Sequence, residues 1–145
     1  MKNIIYLIPF VIALVGGLAI ADEKSDPEKV ADECLRTKIW SGYSEGWAVR
    51  TATTTTLAQD EHRVYLLTLY AGNEYKVQVC ASNEAKDIDL VLHDVDGNEI
   101  KRDQSSDKEP ILVYKPAETQ TFYVAVYAAE LKEDKSGVAL AVTYR

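Results

Sequence analysis

The sequence predicts a mainly β protein: an antiparallel jelly-roll-like β-sandwich of about eight strands, with an N-terminal helix packed outside it or at its edge. Beyond Arg50, apolar side chains recur at every second residue in short runs, the period at which a strand presents one face. Turn-forming residues separate these runs at intervals of roughly 8–12 positions. No helical pattern alternates with the runs, which argues against a parallel sheet.

Residues 1–21 have the parts of a secretory signal peptide. Lys2 is the positive n-region, an apolar run follows from Ile4 to Leu18, and Ala19-Ile20-Ala21 is a small-x-small cleavage site. The run is short of the roughly 20 apolar residues that a spanning helix needs, so an uncleaved anchor is the weaker alternative. We therefore expect a secreted or periplasmic protein with no membrane attachment after removal of the signal.

Residues 22–49 predict a helical segment. Ser25 or Asp26 can cap the helix and Pro27 suits its first turn. Its apolar face is formed by residues at helical spacing, with Cys34 on the adjoining strip: Ala31, Leu35 and Ile39. The helix should stop near Gly42. Three aromatic residues, Trp40, Tyr43 and Trp47, then form a cluster that either packs on the main body or offers a surface for a ligand such as a sugar.

Residues 50–145 predict the sandwich domain. The segment His62–Ala71 is apolar on both faces, which is typical of a central strand, whereas Tyr75–Ala81 alternates cleanly. The other predicted strands are Thr51–Leu57, Ile88–Val95, Asn98–Asp103, Pro110–Lys115, Thr121–Ala129 and Val138–Tyr144.

The two cysteines predict one structural disulfide. An even cysteine count in an exported chain suggests a bridge, and a Cys34–Cys80 bridge would stabilise the fold by about 4 kcal/mol in the chain-entropy model. A redox pair is the alternative, but the chain has no C-x-x-C. Cys80 lies on the polar, outward face of its strand, so the bridge should pin the helix against the outside or an edge of the sheet.

Charge restricts the partners. The net charge is −7 and the lysines and arginines form no cluster, so we expect no nucleic-acid binding and no attraction to an anionic membrane surface.

The stretch from Asp87 to Ile100 is rich in carboxylates. It lacks the ligand spacing of an EF-hand and instead predicts a hairpin with a three-residue loop, Val95–Gly97, with Gly97 in the left-handed conformation. This register places Asp94 opposite Asn98, His93 opposite Glu99 and Leu92 opposite Ile100. Asp87, Asp89 and Asp103 then come close together, either as solvated strand ends or as ligands of a calcium ion.

No catalytic residues are predicted. The two histidines, His62 and His93, lie far apart in the sequence, and no G-x-S-x-G or H-E-x-x-H motif occurs. Apart from calcium as an alternative, no cofactor is expected.

Several short motifs occur in a specific order. They are Tyr-x-Val-x-Val from Tyr75, Asp-x-Asp-Leu-x-Leu-x-Asp from Asp87 with Asp96-Gly97 after it, a polar loop from Asp103 to Asp107, Tyr114 before Pro116, and Thr-Phe-Tyr-Val-x-Val-Tyr from Thr121. In this order they resemble the bacterial pre-peptidase C-terminal domain family, over roughly Thr53 to Tyr144. The resemblance implies a jelly-roll-like sandwich and a secreted accessory module without catalysis of its own, some of whose relatives bind calcium or matrix polymers.

Together these features predict a non-catalytic binding or accessory module that recognises a protein or a polysaccharide. Two alternatives remain open: a calcium-dependent matrix- or carbohydrate-binding module, and a small secreted hydrolase or hydrolase inhibitor.

Overall fold

Two antiparallel sheets of four strands each face one another, and one helix lies against them. The computed structural model describes residues 25–145, so the predicted signal peptide lies outside the described residues. The elements are α1 (Pro27–Tyr43), β1 (Ala48–Ala58), β2 (His62–Leu69), β3 (Tyr75–Ala81), β4 (Ala85–His93), β5 (Glu99–Arg102), β6 (Ile111–Tyr114), β7 (Gln120–Leu131) and β8 (Lys135–Tyr144).

The strand order is β1-β8-β3-β6 in the first sheet and β2-β7-β4-β5 in the second. Alternate side chains of both sheets point into the space between them and form one apolar core. Its largest fully buried members include Tyr75, Phe122, Leu90 and Leu140. The predicted β-sandwich is therefore confirmed.

Strand β2 is not the central strand that its apolar sequence predicted. It forms the edge of the second sheet, paired only with β7. As a result Leu66 points outward and is 63% exposed, and Val64 is exposed beside it. Apolar side chains on both faces of a strand indicate that other elements pack on both faces. The prediction was wrong because no element of residues 25–145 packs on the outward face of β2.

The helix begins where its sequence predicted. Asp26 is the N-cap, with its Oδ1 accepting a hydrogen bond from the Glu28 backbone N at 3.0 Å, and Pro27 opens the first turn. Of the described residues α1 alone forms an α-helix, and it has neither the length nor the apolar character of a bilayer-spanning segment.

The helix packs on the outer face of the first sheet, as predicted. Its apolar strip, Ala31 and Leu35, contacts Ala139 and Ala141 of β8 and Cys80 of β3. Gly137 of β8 continues this strip of small residues, and a Cβ there would lie 2.1 Å from the carbonyl oxygen of Pro27. Small residues on β8 thus permit the close approach of the helix.

The predicted disulfide is confirmed. Cys34 and Cys80 are bridged, with an S–S distance of 2.08 Å and a Cα–Cα distance of 5.9 Å. The bond joins α1 to the sheet on the side away from the main core. Such a bond is typical of proteins in an oxidising, extracytoplasmic compartment.

The β4–β5 hairpin has the predicted turn but not the whole predicted register. Gly97 has a φ of 84°, the Asp94 backbone N donates to Asn98 O at 3.0 Å, and His93 lies opposite Glu99. The pairing of Leu92 with Ile100 was wrong, because a bulge at Ile100 puts Lys101 opposite Leu92.

Replacing both cysteines by alanine should lower the stability by about 2–4 kcal/mol, since the unfolded chain regains its loop entropy. The β-sheet spectrum should persist, because the bridge lies outside the main core. Thermal unfolding followed by circular dichroism measures both the stability and the β-sheet spectrum. Wild-type protein with its disulfide reduced should have the same melting temperature as the variant. An unchanged midpoint, or loss of the β spectrum, would contradict this assignment.

Candidate functional site

Trp47 does not share an exposed surface with the other two predicted aromatic residues. It is only 5% exposed, and its ring contacts two cations, with Lys76 Nζ at 4.5 Å and the guanidinium carbon of Arg145 at 4.4 Å from the ring centroid. Cation–π contacts of this kind stabilise a fold. Trp47 therefore anchors the turn between α1 and β1 to the sheet.

Trp40 and Tyr43 are the exposed aromatic residues of the helix. Trp40 is 79% exposed and Tyr43 is 55% exposed. Their ring centroids lie 6.2 Å apart, and the ring planes meet at 66°. The two rings therefore form an edge-to-face pair rather than the coplanar platform on which a sugar ring stacks.

A groove runs between α1 and the edge strand β1, with Trp40 on its rim. Its apolar lining comes from Leu35, Ile39 and Trp40 of the helix and Ala52 of the strand, and its volume is about 540 Å³. Asp32 and Arg36 lie at its border, joined by an ion pair of 2.6 Å. We call this feature the helix–strand groove. It has the size and the apolar character of a ligand-binding cleft.

The three predicted calcium ligands lie at one end of the second sheet, but two of them have other partners. Asp103 accepts hydrogen bonds from the backbone N of Ser105 at 2.8 Å and of Ile111 at 2.9 Å. Burial alone would raise the pKa of Asp103, but the hydrogen bonds from Ser105 and Ile111 outweigh it and lower that pKa. Asp89 lies 3.7 Å from Arg102.

Asp87 is the least satisfied carboxylate of this group. Its Oδ1 is shielded from solvent and accepts no hydrogen bond from residues 25–145. Desolvation raises the pKa of Asp87, and the neighbouring carboxylates Asp89, Glu130, Asp107 and Asp103 raise it further. Ionised Asp87 is therefore a local destabilising element at neutral pH.

As placed, these side chains do not assemble around a cation. Within residues 25–145, no three acidic side chains have carboxylate oxygens within 4.8 Å of one another. A calcium ion takes six or more oxygen ligands at about 2.3–2.6 Å. The arrangement of Asp87, Asp89 and Asp103 therefore does not fit calcium without rearrangement.

The two histidines have separate surroundings. His62 stacks on Tyr127, with ring centroids 5.2 Å apart, and His93 Nδ1 lies 3.3 Å from the carbonyl oxygen of Gly97. The first contact is a cross-strand pair of β2 and β7, and the second belongs to the β4–β5 hairpin turn.

Sequence reasoning missed one arginine that the structure makes prominent. Arg50 stands in an irregular position of β1, beside the rings of Tyr70 and Tyr75. No local sequence pattern marks it, because the irregularity arises from the pairing of β1 with β8.

Comparison with known proteins establishes the fold. No protein-family model and no curated protein matches the chain. Among solved structures it is similar to the pre-peptidase C-terminal domain of a collagenase from Bacillus anthracis, with a TM-score of 0.53 and 16% identity over 65% of this chain and 89% of that one. It is also similar to PliG of Aeromonas hydrophila, a periplasmic inhibitor of g-type lysozyme, with a TM-score of 0.52 and 13% identity over 68% of this chain and 88% of that one.

These likenesses bear on the fold alone, and they confirm the resemblance that the sequence motifs suggested. The chain has a fold like that of the pre-peptidase C-terminal domain.

The raised pKa of Asp87 gives a pH-dependent prediction. A carboxyl whose pKa is raised in the folded state favours folding below its ordinary value of 3.8 and loses that contribution as the pH rises through the folded pKa. Asp87→Asn should therefore raise the melting temperature at pH 7, by about 1–3 °C, and the gain should shrink as the pH falls towards 4.

Asp94→Asn is the matched control, with the opposite sign. Hydrogen bonds from the side chain and the backbone of Asn98 lower the pKa of Asp94 from 3.8. Its stabilising contribution is present above that value and lost as the pH falls through the lowered pKa, so the variant should melt lower at pH 7. If Asp87→Asn instead lowered the melting temperature at pH 7, ionised Asp87 would not be the destabilising group that its burial and its neighbouring carboxylates indicate.

Proposed function

We propose that this protein is an exported, non-catalytic module that binds another protein through the helix–strand groove and the exposed ring of Trp40. The observation that carries the proposal is the exposure of Trp40, 79%, at the rim of an apolar groove of about 540 Å³. Tryptophan and tyrosine beside a pocket are the residues that most often dominate the energy of a protein interface.

The rigidity of the helix supports this role. α1 is fixed to the sheet by the Cys34–Cys80 bond and by the close packing of Ala31 and Leu35 on β8. A surface that is already ordered loses little conformational entropy when a partner binds. Binding at Trp40 and Tyr43 should therefore lose little conformational entropy.

Charge supports a basic partner. The net charge of −7 attracts a cationic protein and repels an acidic one. The ion pair of Asp32 with Arg36 borders the groove and could exchange partners with charged groups at the rim of an interface.

A polysaccharide is the weaker alternative. Carbohydrate recognition uses aromatic rings laid flat against sugar faces, whereas the rings of Trp40 and Tyr43 meet at 66° and Trp47 is buried. Inhibition of a cell-wall hydrolase is a narrower form of the proposal, and the likeness to the lysozyme inhibitor of Aeromonas hydrophila favours it.

Site-directed photo-crosslinking in the host tests the proposal. A benzophenone amino acid at Tyr43, next to Trp40, should give an adduct with another protein, because Tyr43 is 55% exposed and an aromatic group replaces an aromatic group. Adding Trp40→Ala should reduce the adduct at least tenfold, the loss expected for a central interface residue.

The same photo-reactive group at Val95, an exposed apolar residue of the β4–β5 turn, is the matched control and should give no such adduct. Mass spectrometry of the adduct identifies the partner, and a lytic hydrolase would support the narrower proposal. An adduct of equal yield from Val95, or one that survives Trp40→Ala unchanged, would contradict the site.

We propose that the module works without a cofactor. Millimolar calcium added after EDTA should leave the melting temperature unchanged within about 1 °C. A ligand raises the midpoint only if it binds the folded state, and the carboxylate oxygens of Asp87, Asp89 and Asp103 do not lie close enough together to coordinate one ion. A rise of several degrees that Asp87→Asn abolishes would instead support the calcium-dependent alternative.

A further inference from the structure

Arg50 is the extra residue of a β-bulge. The pairing of β1 with β8 shifts between Val49, opposite Thr143, and Thr51, opposite Val142. Arg50 therefore has no partner of its own in the ladder. A bulge of this kind changes the direction of one side chain and often lies next to a functional site.

The side chain of Arg50 lies against two tyrosine rings. Its guanidinium carbon is 5.2 Å from the ring centroid of Tyr70 and 6.0 Å from that of Tyr75, within the range of cation–π attraction. The hydroxyl of Tyr75 accepts hydrogen bonds from the Tyr70 backbone N at 2.9 Å and from Asn73 Nδ2 at 3.3 Å. This network fixes the tyrosine and so orients the guanidinium.

Arg50 has no acidic partner in the described part of the chain. Within residues 25–145 no carboxylate oxygen lies within 4.0 Å of its guanidinium, whereas Arg36, Arg102 and Arg145 each have one. The acidic residue next to this region, Glu74, is bonded to Arg145 Nε at 2.8 Å. In an acidic protein, a stacked arginine without a carboxylate stands out, since its N–H donors remain available to a ligand.

A pocket of about 400 Å³ opens beside this arginine. Tyr70 and Tyr144 are exposed at its rim, as is Val49. Its lining is Val49, Arg50, Tyr70, Asn73, Tyr75 and Tyr144. The pocket is therefore lined by one guanidinium, one side-chain amide and three tyrosine rings.

We propose that this pocket binds the carboxylate of a small ligand group, with Arg50 as the specificity-determining residue. A planar guanidinium matches a planar carboxylate through two parallel hydrogen bonds. The tyrosine rings and Val49 contact the body of the ligand, and a volume of about 400 Å³ admits one sugar ring or one amino-acid residue. The carboxylate belongs either to an acidic sugar or to the C-terminus of a peptide. This site is independent of the protein interface proposed at Trp40.

The experiment follows the Arg50 Nε–Hε resonance by NMR at constant ionic strength while an acid is added. Glucuronate represents the acidic sugar, and hippurate represents a peptide C-terminus. Glucuronamide and hippuramide are their neutral controls. At least one acid should give a saturable shift with a Kd on the order of millimolar, and its amide should give none. The acid that binds identifies the source of the carboxylate.

Variants of Arg50 show whether its guanidinium is required for binding. In these variants the backbone amide resonance of Tyr70 reports binding. Arg50→Gln should weaken binding at least tenfold, and Arg50→Lys should weaken it several-fold because an ammonium lacks the bidentate geometry. Arg63→Gln is the matched control: Arg63 also has no carboxylate within 4.0 Å among residues 25–145, but it bonds Thr55 rather than a tyrosine ring. It should bind as wild type does.

The proposal fails if no acid shifts the Arg50 resonance at tens of millimolar, if an amide binds as well as its acid, or if Arg63→Gln loses as much as Arg50→Gln. Wild-type melting of Arg50→Lys establishes that the variant is folded. Trp40→Ala should leave acid binding unchanged, so this site and the protein interface succeed or fail separately.

Discussion

The close approach of α1 to the outer face of the first sheet is the contact on which the helix–strand groove and the exposed surface of this side of the sandwich depend. Gly137 leaves room for the carbonyl of Pro27, where a Cβ would lie 2.1 Å away, and Ala139 and Ala141 continue the shallow strip. The helix buries few of its own side chains, chiefly Ala31 and Leu35. Its attachment therefore relies on backbone proximity and on the bond between Cys34 and Cys80, because so small an apolar area stabilises it only modestly.

This attachment makes the two sides of the sandwich different. The helix covers the first sheet, and the groove lies between the helix and the edge strand β1. The second sheet has no such cover within residues 25–145, and its edge strand β2 exposes Leu66. Arg63, a charged residue at the start of β2, limits uncontrolled pairing of that edge with other strands. The covered side thus carries the surface proposed for protein recognition, and Arg63 places a charge at the edge of the uncovered side.

Aromatic–cation contacts have two different roles in this protein. Lys76 and Arg145 both contact the ring of Trp47, and each of these cations also has a carboxylate partner. Arg50 stacks on tyrosine rings without one. The same type of contact therefore completes the structure at Trp47 and leaves an available donor group at Arg50, because only the paired cations have their charge compensated within residues 25–145.

The sequence alone determined the features that depend on local spacing. Alternation along Tyr75–Ala81 placed Cys80 on the outward face, helical spacing placed Cys34 beside the apolar strip, and these two facts located the helix outside the sandwich. Gly97 fixed the hairpin turn in the same way. The tertiary structure alone decided which strand lies at an edge, where the ladder of β1 slips at Arg50, and which aromatic residue is buried. Those outcomes depend on pairing between segments far apart in the chain, where a shift of one residue reverses the direction of every side chain.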